Sequence, residues 1–197
     1  MLIKKALMSA LASPWPVLCV LAVSLGLNVH LMTSRQTGTR IITEPTYKSG
    51  MTMPRLTATA INGVPAMLDW ADPRDHRPSI LYVFTPSCTW CTQNLENIRA
   101  LSTSQQSRYR IIGLSLSDEG LTEYVSQAKL PFAVYSHATD ERGNAPDLRV
   151  TPQTLLIAAN GRIEKSWTGA YTGKVQGEIE GWFNIRLPGL IKSSPKH

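Results

Sequence analysis

The order of apolar and polar positions divides the chain into an apolar N-terminal stretch, a polar tether and a folded domain. Residues 6–34 contain no charged side chain, and residues 14–32 are mostly apolar. Because an α-helix rises about 1.5 Å per residue, these 19 residues span roughly 28 Å, close to the thickness of a bilayer's hydrocarbon core. The pattern predicts a short cytoplasmic N-terminus (1–13), a single transmembrane signal anchor (14–33) and a tether (34–50).

A cleaved signal peptide is the main alternative to this anchor. Bulky residues follow the apolar stretch, so it lacks a small-x-small cleavage motif, and Cys19 lacks the small preceding residues of a lipoprotein signal. Lys4 and Lys5 favour a cytoplasmic N-terminus. The predicted location is therefore the inner membrane, single-pass, with residues 51–190 in the periplasm or another oxidising extracytoplasmic space.

Short strand patterns alternate with helical patterns over residues 51–190, which predicts an α/β sheet with helices on both faces. A β-hairpin comes first, because LTATAING alternates apolar and polar residues up to Asn62-Gly63 and VPAMLDW follows. Apolar runs rich in β-branched and aromatic residues predict the later strands. These strands are SILYVFT, RIIGLSLS, PFAVYS and TLLIA, the last joined through Asn160-Gly161 to a fifth, RIEKSW.

Three helices are predicted between and after these strands. The first is capped by Ser87 and continues from Cys91 to Leu101, and the second, EGLTEYVSQAKL, is capped by Ser117 or Asp118. Residues 138–149 read as a loop with at most one helical turn. The last helix lies in GKVQGEIEGWFNIRL, and its apolar positions include Val175, Ile179, Trp182 and Phe183. A tail at 191–197 ends the chain.

The formal charge of +6 does not indicate a nucleic-acid-binding protein. Residues 1–40 hold four of the 20 basic residues and none of the 14 acidic ones, so they carry +4 and residues 41–197 only +2. A weakly charged domain lacks the basic patch that phosphate backbones require. No nucleic acid is expected as a partner, and a monomer is the default.

Cys88 and Cys91, in FTPSCTWCTQ, are the candidate chemical residues. Disulfide exchange needs an accessible thiolate and a second sulfur within bonding reach. Two cysteines separated by two residues at a helix start meet both demands, with Cys88 as the attacking residue and Cys91, one turn further, as the resolving one. A metal site and a static structural disulfide are the alternatives. A zinc site lacks obvious further ligands, since the third cysteine is Cys19 and the histidines lie in unrelated segments.

Thr151-Pro152, just before the strand TLLIA, is the second candidate element. A proline at this position can simply mark the start of a strand. If its peptide bond is cis, it forms a turn that leaves the adjacent backbone free to pair with an extended substrate.

These motifs together resemble the membrane-anchored TlpA/ResA-like thiol-disulfide oxidoreductases. The resemblance covers about residues 51–187 and depends on FTPSCTWC, on VTPQTLLIAANGRI and on the leading PRLTATAING hairpin. It implies a thioredoxin-like fold: a central mixed sheet with helices on both faces, preceded by an N-terminal hairpin and a transmembrane helix. It also implies a redox pair at Cys88 and Cys91, a docking turn at Thr151 and Pro152, and no cofactor.

Departures from this family surround the two cysteines. Ser87 stands where the family usually has tryptophan, and Asn94 where many members have a glutamate, so both are expected to support the site in another way. Tyr82 falls at the position of thioredoxin's buried aspartate, which leaves Glu96 and Asp118 as the nearest acidic candidates for carrying a proton. Trp90 either presents an apolar face to a substrate or packs on its own domain.

The expected partners are exported proteins with thiols or disulfides and a dithiol protein that supplies or accepts electrons. Two other functions remain open. A thiol peroxidase is compatible with the leading hairpin, with Thr85 three residues before Cys88 and with Arg149 as a peroxide-activating residue, although Leu81 replaces the proline of the peroxidase motif. The other is a non-enzymatic, membrane-tethered binding or chaperone module with a static disulfide.

Overall fold

A computed structural model describes residues 15–36 and 46–191 of the chain, which divides into two compact units, Met1–Ile42 and Thr43–His197. In the first unit, helix α1 covers Trp15–Gln36. Among the described residues, no helix combines the length and apolarity needed to cross a bilayer, which leaves the predicted transmembrane helix without support. The predicted cytoplasmic N-terminus, half of the tether and nearly all of the C-terminal tail lie outside the described residues.

A single mixed sheet of seven strands organises the second unit. Strands β3, β4 and β5 are parallel, and the other pairs are antiparallel. The order across the sheet is β2-β1-β5-β4-β3-β6-β7. The strands are β1 (Leu56–Ala60), β2 (Pro65–Leu68), β3 (Ser79–Phe84), β4 (Arg110–Ser115), β5 (Ala133–Thr139), β6 (Gln153–Ile157) and β7 (Ile163–Thr168). The helices of this unit are α2 (Thr89–Gln93), α3 (Leu95–Gln105), α4 (Leu121–Ala128) and α5 (Gly173–Phe183).

Both predicted hairpins are confirmed. β1 and β2 are joined through Asn62-Gly63, where Gly63 has a φ of 83°, a left-handed conformation that glycine adopts without steric cost. β6 and β7 are joined in the same way through Gly161, whose φ is 82°. The leading hairpin belongs to the main sheet, since β1 also pairs with β5.

The expectation of helices on both faces of the sheet is wrong. Cys91 of α2, Ile98 and Leu101 of α3, and Ile179 and Phe183 of α5 belong to one core cluster, together with Leu121 of α4. The opposite face is covered by irregular segments, which contribute Met53, Trp70 and Leu148 to a second cluster. The reason is that residues 140–150 form no helix, so Leu148 reaches this face from a loop.

The predicted helix starts also differ from the structure. Cys88, not Ser87, is the N-cap of α2. Gly120 precedes α4 in a left-handed conformation, so neither Ser117 nor Asp118 caps this helix with its side chain. The helix predicted from Cys91 to Leu101 is interrupted at Asn94, which ends α2 and precedes α3. Local capping patterns failed here because the cysteine sulfur and a glycine took the positions expected for hydroxyl and carboxylate groups.

The expectation that Trp182 lies on the apolar face of the last helix is only partly met. Ile179 and Phe183 are buried, but Trp182 is 46% exposed and lies edge-on against Trp167, beneath the ammonium of Lys165. A tryptophan at the margin of an amphipathic face can satisfy the helical pattern without entering the core.

Gly113, in the centre of β4, lies where the surrounding side chains leave no room for a larger residue. A Cβ at this position would lie 3.0 Å from Phe132 Cε2 and 3.1 Å from Val134 Cγ2, closer than side chains normally come. Gly177, on the exposed side of α5, has no such neighbour.

We expect Gly113→Ala to lower the free energy of unfolding by about 1–3 kcal/mol, because the added methyl group overpacks the core. Gly177→Ala is the matched control and should raise the free energy of unfolding by roughly 0.5–1 kcal/mol, since alanine favours a helix. Urea unfolding followed by circular dichroism measures both. Equal effects of the two substitutions would contradict this account of β4.

Candidate redox active site

The cysteine pair lies where the central strand β3 passes into α2. The backbone N–H of Cys88 donates to Thr85 O at 3.1 Å, which folds the connecting loop back onto the end of the strand. The backbone N–H of Cys91 donates to Cys88 Sγ at 3.1 Å. The two sulfurs are at disulfide-bonding distance, and the Cα atoms of Cys88 and Cys91 are 5.2 Å apart.

The two cysteines have different environments. Cys88 is half-buried at the surface, whereas Cys91 is completely buried in the core cluster that contains Tyr82 and Phe84. The Cys91 N–H donates to Cys88 Sγ, and a backbone donor in this position favours negative charge on the sulfur. The arrangement therefore offers one accessible sulfur and one protected sulfur within bonding reach.

A groove of about 250 Å³ lies beside the pair. The bond between Thr151 and Pro152 is cis, and Pro152 O accepts a hydrogen bond of 2.8 Å from Gly169 N. Trp90, between the cysteines, is 55% exposed, so it faces solvent and does not pack in the core. The lining residues carry no charge: Trp90, Thr151, Pro152, Thr168, Gly169, Ala170, Thr172 and Val175.

The structure thus brings three predicted site residues, Trp90, Thr151 and Pro152, to one surface, and it separates Ser87 from them. Ser87 lines a second groove, beside the N-terminal end of α4, together with Glu119 and Glu123.

Asn94 lies at zero exposure behind the cysteine helix, between α2 and α3. Its Oδ1 accepts hydrogen bonds from Tyr171 N at 2.9 Å and from Asn97 Nδ2 at 3.0 Å. Asn97 Nδ2 also donates to Tyr171 O at 3.2 Å. Sequence reasoning missed Asn97 and Tyr171. Two asparagines three residues apart on an otherwise apolar helical face were the available signal, because buried amides need partners.

Neutral groups fill two positions near Cys91: Asn94, where many members of the resembling family have a glutamate, and Tyr82, where thioredoxin has a buried aspartate. Burial raises the pKa of the Tyr82 phenol well above its usual range. Among the described residues, no aspartate or glutamate is buried. The two acidic candidates are exposed and have partners elsewhere, since Glu96 binds Arg99 and Asp118 pairs with His137.

No protein-family profile matches the sequence, and curated protein sequences give no match either. Solved structures do match. The thioredoxin domain of a thiol-disulfide oxidoreductase from Bacteroides vulgatus superposes with a TM-score of 0.54 at 14% identity, over 71% of this chain and all of that one. This chain has a thioredoxin-like fold.

Two further structural neighbours are described as proteins with different activities, one a disulfide oxidoreductase and the other a peroxidoxin. A secreted disulfide oxidoreductase from Mycobacterium tuberculosis, homologous to DsbE of E. coli, superposes with a TM-score of 0.50 at 20% identity, over 65% of this chain and 93% of that one. The peroxidoxin BcpB from the same organism superposes with a TM-score of 0.52 at 12% identity, over 70% of this chain and 96% of that one. At these identities the likeness shows the fold, so the chemistry must be argued from the site.

The two buried tyrosines near Cys91 provide a test of the polar groups in this core. Tyr171 OH forms a 2.7 Å hydrogen bond with Thr154 Oγ1, whereas Tyr82 OH has no partner. Tyr171→Phe should therefore lower the free energy of unfolding by about 1–3 kcal/mol, because it leaves the buried Thr154 hydroxyl unpaired. Tyr82→Phe should change the free energy of unfolding by less than about 1 kcal/mol, because no hydrogen bond is lost. Denaturant titration of both variants measures these changes. A larger loss of unfolding free energy in Tyr82→Phe than in Tyr171→Phe would contradict the assignment of the hydrogen bond to Tyr171.

Proposed function

We propose that this protein is a thiol-disulfide oxidoreductase that exchanges disulfides with exported proteins through Cys88 and Cys91. The observation that carries the proposal is the asymmetric pair at the start of α2, with Cys88 Sγ near the surface and Cys91 Sγ buried within bonding distance. A pair of this kind can form a mixed disulfide with another protein and then release it.

In the reductive direction, the Cys88 thiolate attacks a substrate disulfide, forms a mixed disulfide and expels one substrate thiolate. Cys91 then loses its proton and attacks Cys88 Sγ, which breaks the mixed disulfide and releases the second substrate thiolate. The two thiolates take up protons, so the substrate gains two electrons and two protons while Cys88 and Cys91 become a disulfide. The oxidative direction reverses these steps, and the reduction potential relative to the partner sets the direction.

The uncharged groove is the docking surface in this proposal. Trp90 supplies an apolar face next to the cysteines, and Thr151 and Pro152 line the same groove. An extended substrate segment without charges fits such a surface, because a charge placed there would lose hydration without gaining an ionic partner. Ser87 and Asn94 support the site from outside the groove.

A thiol peroxidase is the second candidate, since one structural neighbour is a peroxidoxin. Two features disfavour it. Arg149, the expected peroxide-activating residue, is bound to Asp147. Leu81 is completely buried in the sheet at the position where the peroxidase motif has proline.

The site of action in this proposal is the extracytoplasmic side of a membrane, the periplasm in a bacterial cell. The uncharged stretch 6–34 after Lys4 and Lys5 supports export, whether it is kept as an anchor or removed. A dithiol partner protein there would restore the redox state of Cys88 and Cys91.

Cysteine substitutions test the roles of the two sulfurs. In Cys91→Ser, the mixed disulfide at Cys88 should persist because the resolving thiol is gone, so partner proteins should appear as adducts on non-reducing gels. In Cys88→Ser, adducts through the buried Cys91 should be at least about tenfold less abundant, because accessibility limits attack. Adducts that depend equally on either cysteine would contradict these roles.

The rival functions predict other outcomes for the same preparations. A static disulfide would give no adducts with either variant. A peroxidase would consume hydrogen peroxide much faster than free cysteine does, and Cys88→Ser would abolish this consumption. Peroxide turnover without any mixed disulfide would replace the exchange proposal with the peroxidase.

Export can be tested on the full chain carrying a C-terminal reporter enzyme that folds only when its own disulfides form. The reporter should be active with the native N-terminus and inactive after deletion of residues 6–34, because the deletion removes the longest uncharged stretch of the chain. An active reporter in the deleted form would contradict the proposed location. Sedimentation of the product with membranes, before and after detergent, separates an anchor from a cleaved peptide.

A further inference from the structure

Residues 169–172 follow β7, and Gly169, Ala170 and Thr172 of this segment form one wall of the uncharged groove, whereas Tyr171 is buried. This segment is hydrogen-bonded to two parts of the site. On one side, Gly169 N donates to Pro152 O at 2.8 Å, which links the wall to the cis-proline. The second part is the cysteine-bearing segment, which consists of α2 and α3 and includes Trp90. The width of the groove therefore depends on what holds the wall against α2 and α3.

The two asparagines of the cysteine-bearing segment supply that link. Asn94 Oδ1 accepts from Tyr171 N at 2.9 Å, and Asn97 Nδ2 donates to Tyr171 O at 3.2 Å. Both backbone polar groups of Tyr171, which lies within the wall segment, are thus bound by side chains from the junction of α2 and α3 and from α3 itself. The Asn97 Nδ2–Asn94 Oδ1 bond of 3.0 Å orients the two amides relative to each other.

The link is buried and is anchored further on both sides. Asn94 and Asn97 have zero exposure, so their hydrogen bonds do not compete with water. The Tyr171 ring is also buried, and its hydroxyl bonds to Thr154 on β6. Asn97 Oδ1 accepts from Gly189 N at 2.8 Å, which ties the chain after α5 to the same point.

We propose that Asn94 and Asn97 are positioning residues that clamp residues 169–172 to the cysteine-bearing segment and so set the groove for protein substrates. The inference rests on the proposed function and adds a specificity role. In the proposed function a protein substrate docks in the groove next to the cysteine-bearing segment, whereas a small disulfide reagent can reach the half-exposed Cys88 directly from solvent. Loosening the clamp should therefore slow exchange with proteins and leave exchange with small reagents unchanged.

The chain offers a matched control on the same helix. Gln105 is also a buried amide of α3, and its Nε2 donates to the backbone oxygen of Phe183 at 3.4 Å. It resembles the two asparagines in burial and bonding, but it does not line the groove or bind its wall. Gln105→Leu therefore reports the general effect of removing a buried amide.

The experiment measures the second-order rate constants at which the reduced full-length protein reacts with insulin and with 5,5′-dithiobis(2-nitrobenzoate). Asn94→Leu should lower the insulin-to-reagent ratio about tenfold, the usual effect of losing one buried hydrogen bond. Gln105→Leu should leave the ratio within about twofold of the original value. Asn94→Asp keeps an acceptor for Tyr171 N and should preserve the ratio.

Hydrogen exchange at the Tyr171 amide tests the clamp independently of activity. Asn94→Leu should accelerate this exchange about tenfold, because the amide loses its acceptor, and Gln105→Leu should leave it unchanged. If Asn94→Leu does not fold, Asn97→Ser, which removes the donor to Tyr171 O, takes its place in the ratio measurement. A wild-type protein that reacts neither with insulin nor with 5,5′-dithiobis(2-nitrobenzoate) would refute the proposed function. Hydrogen exchange at the Tyr171 amide would still show whether Asn94 holds this segment.

The clamp is wrong if Asn94→Leu folds normally and keeps both the substrate ratio and the Tyr171 protection. It is equally wrong if Gln105→Leu lowers the ratio as much as Asn94→Leu does, since the effect would then be one of general stability.

Discussion

The antiparallel pairing of β3 with β6 is the constraint on which the rest of the site depends. Val83 lies opposite Gln153, and Ser79 lies opposite Ile157. This register places the end of one strand, which leads into Cys88, beside the start of the other, which follows Pro152. Because strand register in a buried sheet is set by which side chains face each core, a slip of one residue would turn every buried side chain of β6 to the wrong face. The groove beside the cysteines is thus a consequence of how the central strands pair.

Amides and phenols take the place of buried carboxylates around the cysteines of this chain. A buried carboxylate couples the redox reaction to its own protonation, whereas an amide keeps its charge state over the whole pH range. Asn94 occupies its buried position by accepting hydrogen bonds, and Tyr82 stays neutral because burial raises its pKa. The polar groups behind Cys91 therefore contribute geometry, and the clamp on Tyr171 is their most specific effect.

Elements that depend on local patterns were predicted well, and elements that depend on distant partners were not. The two hairpins follow from Asn-Gly turns between alternating strands, and both are present. Helix starts were predicted less well, because Cys88 and Gly120 replaced the expected capping residues. Within residues 46–191, the helices cover one face of the sheet, because the loop at 140–150 carries Leu148 onto the other face without forming a helix. Sequence patterns report which residues are buried but not which segment covers them.

The sequence by itself determined the strand order along the chain, the α/β pattern and the pair Cys88 and Cys91, because spacing and periodicity are local properties. It also indicated Thr151 and Pro152 as a second element, without showing the isomer of the bond. Only the tertiary structure decided that these elements share a groove with Trp90, that Ser87 lies outside it and that Asn94 and Asn97 hold Tyr171. These decisions arise from contacts between segments far apart in the chain, where burial forces each polar group to find a partner that no local pattern specifies.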